Sequence, residues 1–349
     1  MDQHQNSPDE QILLCKTARS FDLYSQHSYR QTQKRRRDFY VLPLAHRSLL
    51  PDHLSLIDAV DDRIRKNQDF LSKIIAGLGL SLACPAAELQ NAASSDPSVE
   101  SHDVDKVKST LKQFVRDWST EGEEERRKTY DPIIFQLQKY FPDPKDIRVL
   151  VPGAGLARLC VEIYRLGYHV QGNEFSWHML FASQFILNTP MEKHSCVIYP
   201  YIHTFSNHPS NTSLLRGITI PDIVPGDILD RATGDLSMNA GEFVDCYSRP
   251  SERHAWDCII TCFFIDTAPN IIAYLDTIRY CLKPESGRWI NLGPLLWHWE
   301  GRPDESSLEL GMHEVIQLAQ RMGFDFLERK GILTGYTENK HSEKMIRAI

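Results

Sequence analysis

Two glycines and an acid give the chain its first chemical signature. In Val149–Ser176, "VLVPGAGLARLCVEIYRLGYHVQGNEFS", Gly153 and Gly155 leave an apolar run and open a helical one. Glu174 closes the next apolar run, 21 residues after Gly153. Glycine at such a turn lets the backbone approach a ligand, and the helix that follows offers N–H groups without intrahelical partners. A carboxylate ending the second strand can accept hydrogen bonds from ribose hydroxyls. The combination points to a nucleotide-type ligand, either a dinucleotide for hydride chemistry or a methyl donor such as S-adenosylmethionine. The dinucleotide pattern G-x-G-x-x-G requires a third glycine for close helix–strand packing. Arg158 stands at that position. A methyl donor has no pyrophosphate to cradle and tolerates a looser turn, so hydride transfer is disfavoured.

Two further residues could do chemistry. Asp266 ends "WDCIITCFFID", a continuous apolar run of the kind found in central parallel strands. Strand C-termini in open α/β sheets face the ligand crevice, but aspartate is also a good helix N-cap, and a helix is expected to start at or just before Pro269. The residue types leave both roles open. His298 follows the next strand in "LGPLLWHWEG", between Trp297 and Trp299. Taken alone it reads as a histidine on an aromatic surface. The fourteen histidines make no H-x-x-x-H or mixed Cys/His cluster, so no metal is expected. The eight cysteines form no C-x-x-C pair and read as reduced thiols.

The elements that must position these residues follow from hydrophobic periodicity. Residues 10–83 show helical spacing, with Leu54, Ile57, Val60, Ile64, Leu71, Ile74 and Ile75 on one face before Gly77 and Gly79. Gln90–Asp103 is small and polar and reads as a linker, which divides the chain into an N-terminal helical region with its linker, 1–103, and a larger domain, 104–349. Two helices open that domain. The first carries Val104, Val107, Leu111, Phe114, Val115 and Trp118 on one side; the second runs from "EGEEERRKTY" to "FPDP". From Ile147 strands and helices alternate: strands at "IRVLVPG", "HVQGNEF", "WDCIITCFFID" and "RWINLGPLL", a third-strand candidate at "CVIYPYI", and a last candidate at "FDFLERK". Residues 204–255 read as a polar insertion, and "SSLELGMHEVIQLAQRMG" as a helix with a serine start and a glycine stop. This alternation predicts an α/β fold, a mostly parallel sheet flanked by helices.

Composition bounds the partners. A net charge of -7 argues against a general nucleic-acid binder, and the basic run "QKRRR", Gln33–Arg37, reads as a solvated helix face. No run of 18 apolar residues occurs, so no membrane span is expected. The polar start "MDQHQNSPDEQ" lacks an apolar signal core. The expected compartment is the cytoplasm, with the nucleus as a second location.

The longer motifs add a family. "STLKQFVRDWS", "VPGAGLARL", "GYHVQGNEFS", "FSNH", "WDCIITCFFIDTAPNIIAYLDTI" and "WINLGPLLWHWE" together resemble the carnosine N-methyltransferase family, over about Ser109 to Phe326. The resemblance implies a class I methyltransferase-like (Rossmann-like) fold with S-adenosylmethionine as cofactor. It implies methylation of an imidazole nitrogen of carnosine, a small dipeptide, giving anserine, or of histidine in related peptides and proteins. By motif it assigns Gln113 and Arg116 to the methionine end of the donor, Gly153 and Gly155 to the turn, and Glu174 to the ribose. Glu242 and Phe243 of "NAGEF" take the place of a family Asp-Phe pair beside the adenine. Asp266 and His298 become contacts to the substrate imidazole. A homodimer is one option for the quaternary state.

The tail departs from that pattern. "GYTENKHSEKMIRAI" is polar and lacks strand alternation where the family ends on an antiparallel strand preceded by a substrate-binding tyrosine. The position expected for that tyrosine falls at or near Ala348, and Tyr336 belongs to an earlier segment. The last antiparallel strand is therefore expected to be missing. A non-catalytic, donor-binding relative or a truncated variant without the C-terminal substrate wall stays open as the alternative.

Overall fold

The computed structural model describes residues 8–78, 97–229, 233–302 and 306–332. Its described residues divide into two compact units. One contains the chain up to Gly122 together with Trp177–Val224, and the other Glu123–Ser176 together with the chain from Pro225 onward. This division differs from the boundary expected at 103/104, which falls inside the helix Pro97–Trp118. The expected linker is helical from Pro97 onward; proline is tolerated in a first helical turn because its missing N–H has no partner to lose there.

The first unit is built on amphipathic helices. Ile57, Val60, Ile64, Leu71 and Ile74 of the helix His53–Gly77 are buried, as the periodicity requires, and Phe70 joins them. Val104, Val107, Leu111, Phe114, Val115 and Trp118 of Pro97–Trp118 are buried likewise. Phe70 meets Phe114 edge-on at 5.2 Å and Phe185 of the helix Trp177–Asn188 at 5.8 Å. The basic run lies on the helix Tyr24–Val41 and is largely satisfied by its neighbours. Arg36 pairs with Asp58 at 2.6 Å and Asp61 at 2.7 Å, Lys34 pairs with Asp38 at 2.6 Å, and Arg35 sits 4.0 Å from the Phe205 ring centroid. The strand anticipated at Cys196–Ile202 is shorter and pairs elsewhere: β3 (Cys196–Ile198) and β4 (Ile218–Ile220) form a separate antiparallel ribbon in this unit.

The second unit contains the main sheet. Its strands are β1 (Arg148–Pro152), β2 (His169–Glu174), β5 (Leu236–Ala240), β6 (Cys258–Cys262) and β7 (Arg288–Leu292). They lie in the order β5-β2-β1-β6-β7, all pairs parallel. β5 comes out of the stretch expected to be a polar insertion. "LSMNA" is a half-exposed edge strand, so it lacks the apolar density of the central strands and escapes a search for apolar runs. Two other expectations fail. Phe324–Lys330 forms no strand, and the helix expected from Ser306 begins at Met312, where the Glu314 carboxylate accepts the Gly311 N–H at 2.9 Å. The tail, with Tyr336 and Ala348 and the last-strand question, lies outside the described residues.

Gly172 in β2 performs the packing that a third turn glycine would. A Cβ there would lie 2.4 Å from Met238 Sδ, 2.9 Å from Ala154 Cβ and 3.1 Å from Cys160 Sγ. Six cysteines, Cys160, Cys196, Cys246, Cys258, Cys262 and Cys281, carry no disulfide, but Cys15 is disulfide-bonded, against the all-reduced expectation. Spacing alone says nothing about bonds between sequence-distant cysteines. No helix among the described residues is long and apolar enough to cross a membrane, and no group of three His, Cys, Asp or Glu among them could hold a metal.

His178 makes the first unit's stability sensitive to acid. It is buried, stacks on Phe21 at 5.7 Å and lies 3.0 Å from Ser20 Oγ. Burial pushes its pKa down to about 4, with Lys106 acting in the same direction. The unfolded chain therefore takes up this proton first. The histidine's contribution is complete above about pH 6.5 and is lost as the pH falls toward 4, at up to ~1.4 kcal/mol per pH unit. Urea midpoints should fall between pH 7 and 5, and His178→Phe should flatten that dependence; an unchanged slope in the variant would remove His178 as its source.

Candidate active site

The glycine turn is pinned by backbone bonds at the C-terminal edge of the sheet. Gly153 and Gly155 have φ +67° and +55°, the left-handed region that glycine enters without steric cost. Phe264 presses on the first of them: a Cβ on Gly153 would stand 2.6 Å from its ring. The Ala154 N–H donates to the Asn173 carbonyl at 2.9 Å, which fastens the turn to β2. Ala157, φ +62°, leads into the helix Arg158–Tyr164. Arg158, anticipated as a poor fit for close helix–strand packing, is buried with its Nε 2.8 Å from Glu162 Oε1. The tight approach occurs instead at Gly172. An isolated glycine inside a strand pattern was the available signal for it.

Glu174 gathers the strand ends. Its Oε2 accepts the Gly155 N–H at 2.8 Å, and its Oε1 accepts Phe175 N–H at 2.9 Å and Ser176 N–H at 2.8 Å. Its backbone carbonyl accepts the Gly241 N–H at 3.0 Å. Burial pushes the carboxyl above the ordinary glutamate range, and the three N–H donors pull it back. A carboxylate offers about four acceptor positions, and these three donors use one on Oε2 and two on Oε1. Gly153, Gly155 and Glu174 are thus brought together as their spacing anticipated.

β5 delivers the next pair of residues. Its register sets Ala240 beside Glu174, so "GEF" follows at the same edge. Asn173 secures that segment, donating from Nδ2 to the Gly241 carbonyl at 3.0 Å. Glu242 is the N-cap of the helix Phe243–Tyr247, one oxygen accepting the Asp245 N–H at 2.9 Å. Phe243 is buried edge-on to Phe264 at 5.5 Å, and Phe264 stacks on Tyr274 at 4.9 Å. Phe264 and Tyr274 were not singled out from sequence; "CFFID" and "IIAYL" contain them without announcing them.

Asp266 lies just beyond β6 in the short turn Ile265–Thr267, and is only 4 % exposed. It does not cap the following helix. Asn270 does, its side chain accepting the Ile272 N–H at 3.0 Å ahead of Ile271–Cys281. Asp266 instead holds the loop after β7. Its Oδ2 accepts the Leu296 N–H at 3.0 Å, its carbonyl accepts the His298 N–H at 3.1 Å, and the Trp299 indole donates to the Thr267 carbonyl at 2.8 Å. Among the described residues, Oδ1 accepts no hydrogen bond and the exposed His298 imidazole makes none. Asp266 and His298, 32 residues apart in sequence, therefore sit on two joined loops.

Gln113 and Arg116 belong to the other unit. Both are buried on Pro97–Trp118 beside Asp117: Gln113 Nε2 donates to Asp117 Oδ2 at 3.0 Å, and Arg116 Nη1 stands 3.6 Å from Oδ1.

Comparison with known proteins identifies the family. The family model for carnosine N-methyltransferase matches residues 93–347. The chain belongs to the carnosine N-methyltransferase family. Curated relatives agree. Carnosine N-methyltransferase of Mus musculus is 41% identical over 335 residues, spanning 95% of this chain and 82% of that protein. Its Schizosaccharomyces pombe counterpart is 39% identical over 353 residues, spanning 96% and 93%. The chain is an S-adenosylmethionine-dependent N-methyltransferase of the α/β class, which closes the dinucleotide reading.

Two stability effects separate architecture from chemistry. Asn270→Ala should cost about 1 kcal/mol as a lost N-cap, read as a lower urea midpoint; no change would return the capping role to another residue. Gly153→Ala should cost at least ~1 kcal/mol, because it adds a Cβ in the left-handed region and against Phe264. Unaltered stability would show that the turn relaxes.

Proposed function

We propose that this chain transfers the methyl group of S-adenosylmethionine to an imidazole nitrogen of carnosine, giving anserine, with histidine in related peptides and proteins as the wider substrate class. The observation that carries the proposal is Asp266: a carboxylate almost wholly buried at the end of a central strand, with one oxygen committed to the Leu296 N–H and the other accepting nothing among the described residues. The family's matched relatives, named for carnosine, support the substrate class.

The residues fit a nucleoside-bearing methyl donor. The turn at Gly153 and Gly155 keeps its backbone clear of Cβ atoms, and Glu174 retains an acceptor position suited to a ribose hydroxyl. The motif resemblance assigns Gln113 and Arg116 to the methionine end, where a guanidinium suits a carboxylate. Glu242 and Phe243 take the adenine end. Bound S-adenosylmethionine supplies a methyl group made electrophilic by its sulfonium charge.

Asp266 and His298 act on the other reactant. A neutral imidazole has one N–H and one lone pair. Asp266 accepts the N–H, which selects the tautomer and leaves the second nitrogen's lone pair for the methyl group. It also stabilises the positive charge that develops on the ring. His298, tied by its backbone to Asp266, completes the contact to the substrate ring. Positioning contributes the rest, and no strong base is needed.

Labelled donor, carnosine and protein test this directly. Asp266→Asn keeps an acceptor for the Leu296 N–H and removes the charge. It should lower kcat/KM roughly 100-fold or more while donor binding, followed by calorimetry, is unchanged. Activity equal to the wild type would sink the role. A wild-type chain that binds donor but turns over no carnosine would favour the non-catalytic, donor-binding reading.

A further inference from the structure

We infer that Asp117 is a positioning residue for the methyl donor, acting through Gln113 and Arg116. The inference rests on the proposed roles of those two side chains. Asp117 is 1 % exposed on the helix Pro97–Trp118. A buried carboxylate is costly unless it is paired and hydrogen-bonded, so its place in the core needs a reason. Among its contacts, each oxygen meets a side chain of the same helix. Oδ2 accepts from Gln113 Nε2 at 3.0 Å, one helical turn earlier, and Oδ1 faces Arg116 Nη1 at 3.6 Å.

The second contact is the informative one. Consecutive residues on a helix point in different directions, so a pair at i and i+1 meets only if the longer side chain folds back. Arg116 is drawn toward Asp117, and its guanidinium is held in a buried place, at 7 % exposure. Gln113 is fixed too. Donation from Nε2 to Asp117 settles which end of the amide faces the carboxylate, and turns Oε1 away from it. Both side chains are rich in rotamers, and ordering them before the ligand arrives removes part of the entropic cost of binding. The charge matters as well. Asp117 balances the buried Arg116 cation at 3.6 Å, yet a guanidinium has five N–H donors in a planar fork and can serve a carboxylate and a ligand anion together. Asp117 touches the side chains assigned to the donor without being assigned to it.

The experiment compares Asp117→Asn with Arg116→Gln in the full chain. Donor affinity is measured by calorimetry with S-adenosylhomocysteine, and kinetics by methyl transfer to carnosine. Asparagine keeps the size and an acceptor oxygen but removes the charge. Asp117→Asn should weaken S-adenosylhomocysteine binding about tenfold and raise the donor KM in proportion, with the carnosine KM and kcat at saturating donor little changed. A residue serving only the core would lower the melting temperature and the active fraction but leave the donor KM alone; that result would overturn the inference. Arg116→Gln is the control on the underlying assignment. If it binds donor normally, Arg116 does not contact the donor and both readings fall. If it loses affinity while Asp117→Asn does not, only the positioning role falls. Should Asp117→Asn not fold, Asp117→Glu takes its place: it keeps the charge but shifts the carboxylate, so an unchanged donor KM would count against positioning.

Discussion

The chemistry assigned to the second unit depends on one carboxylate bound by the backbone. Glu174 accepts N–H groups from the turn after β1 and from the two residues after β2, while its own carbonyl receives an N–H from the segment after β5. Three strand ends that are far apart in sequence are thereby tied at one edge of the sheet. Parallel pairing makes this possible, because every strand then delivers its C-terminal end to the same side. Burial and the three donated hydrogen bonds pull the Glu174 carboxyl in opposite directions, and the donors hold it rigid.

The other half of that edge is arranged on the same plan with a different acid. Asp266 uses one oxygen and its backbone carbonyl to hold the loop after β7, so the element that carries His298 is set by the residue it is proposed to work with. Phe264 joins the two halves within the unit. It covers Gly153 on one side and stacks on Tyr274, in the helix after Asp266, on the other. A change in the aromatic core would therefore reach both the turn and the acid, and the absence of a Cβ at Gly153 is a packing requirement as well as a conformational one.

The elements easiest to read were those with strong local signals. The apolar runs of β1 and β6, the helical spacing around Ile57–Ile74 and Val104–Trp118, and the glycine turn with its acid all follow from periodicity and special residues. β5 was hidden because an edge strand shows little apolar density, and the candidate at Phe324–Lys330 has that density without a strand. The stretch read as a linker is helical from Pro97 onward because small polar residues can begin a helix as readily as they form a linker.

By itself the sequence determined the class of fold, the family, and which residues are chemically suited to a site, since these depend on residue type, spacing and motif. Tertiary structure alone decided between roles that one residue type can fill equally well. It gave the helix cap to Asn270 and set Asp266, buried, to hold the Leu296 N–H. It moved the close packing from the place of Arg158 to Gly172, and set Glu242 as a cap with Phe243 in the core. The physical reason is that a carboxylate caps, pairs or binds according to which donors surround it, and those donors come from segments that only the fold brings together.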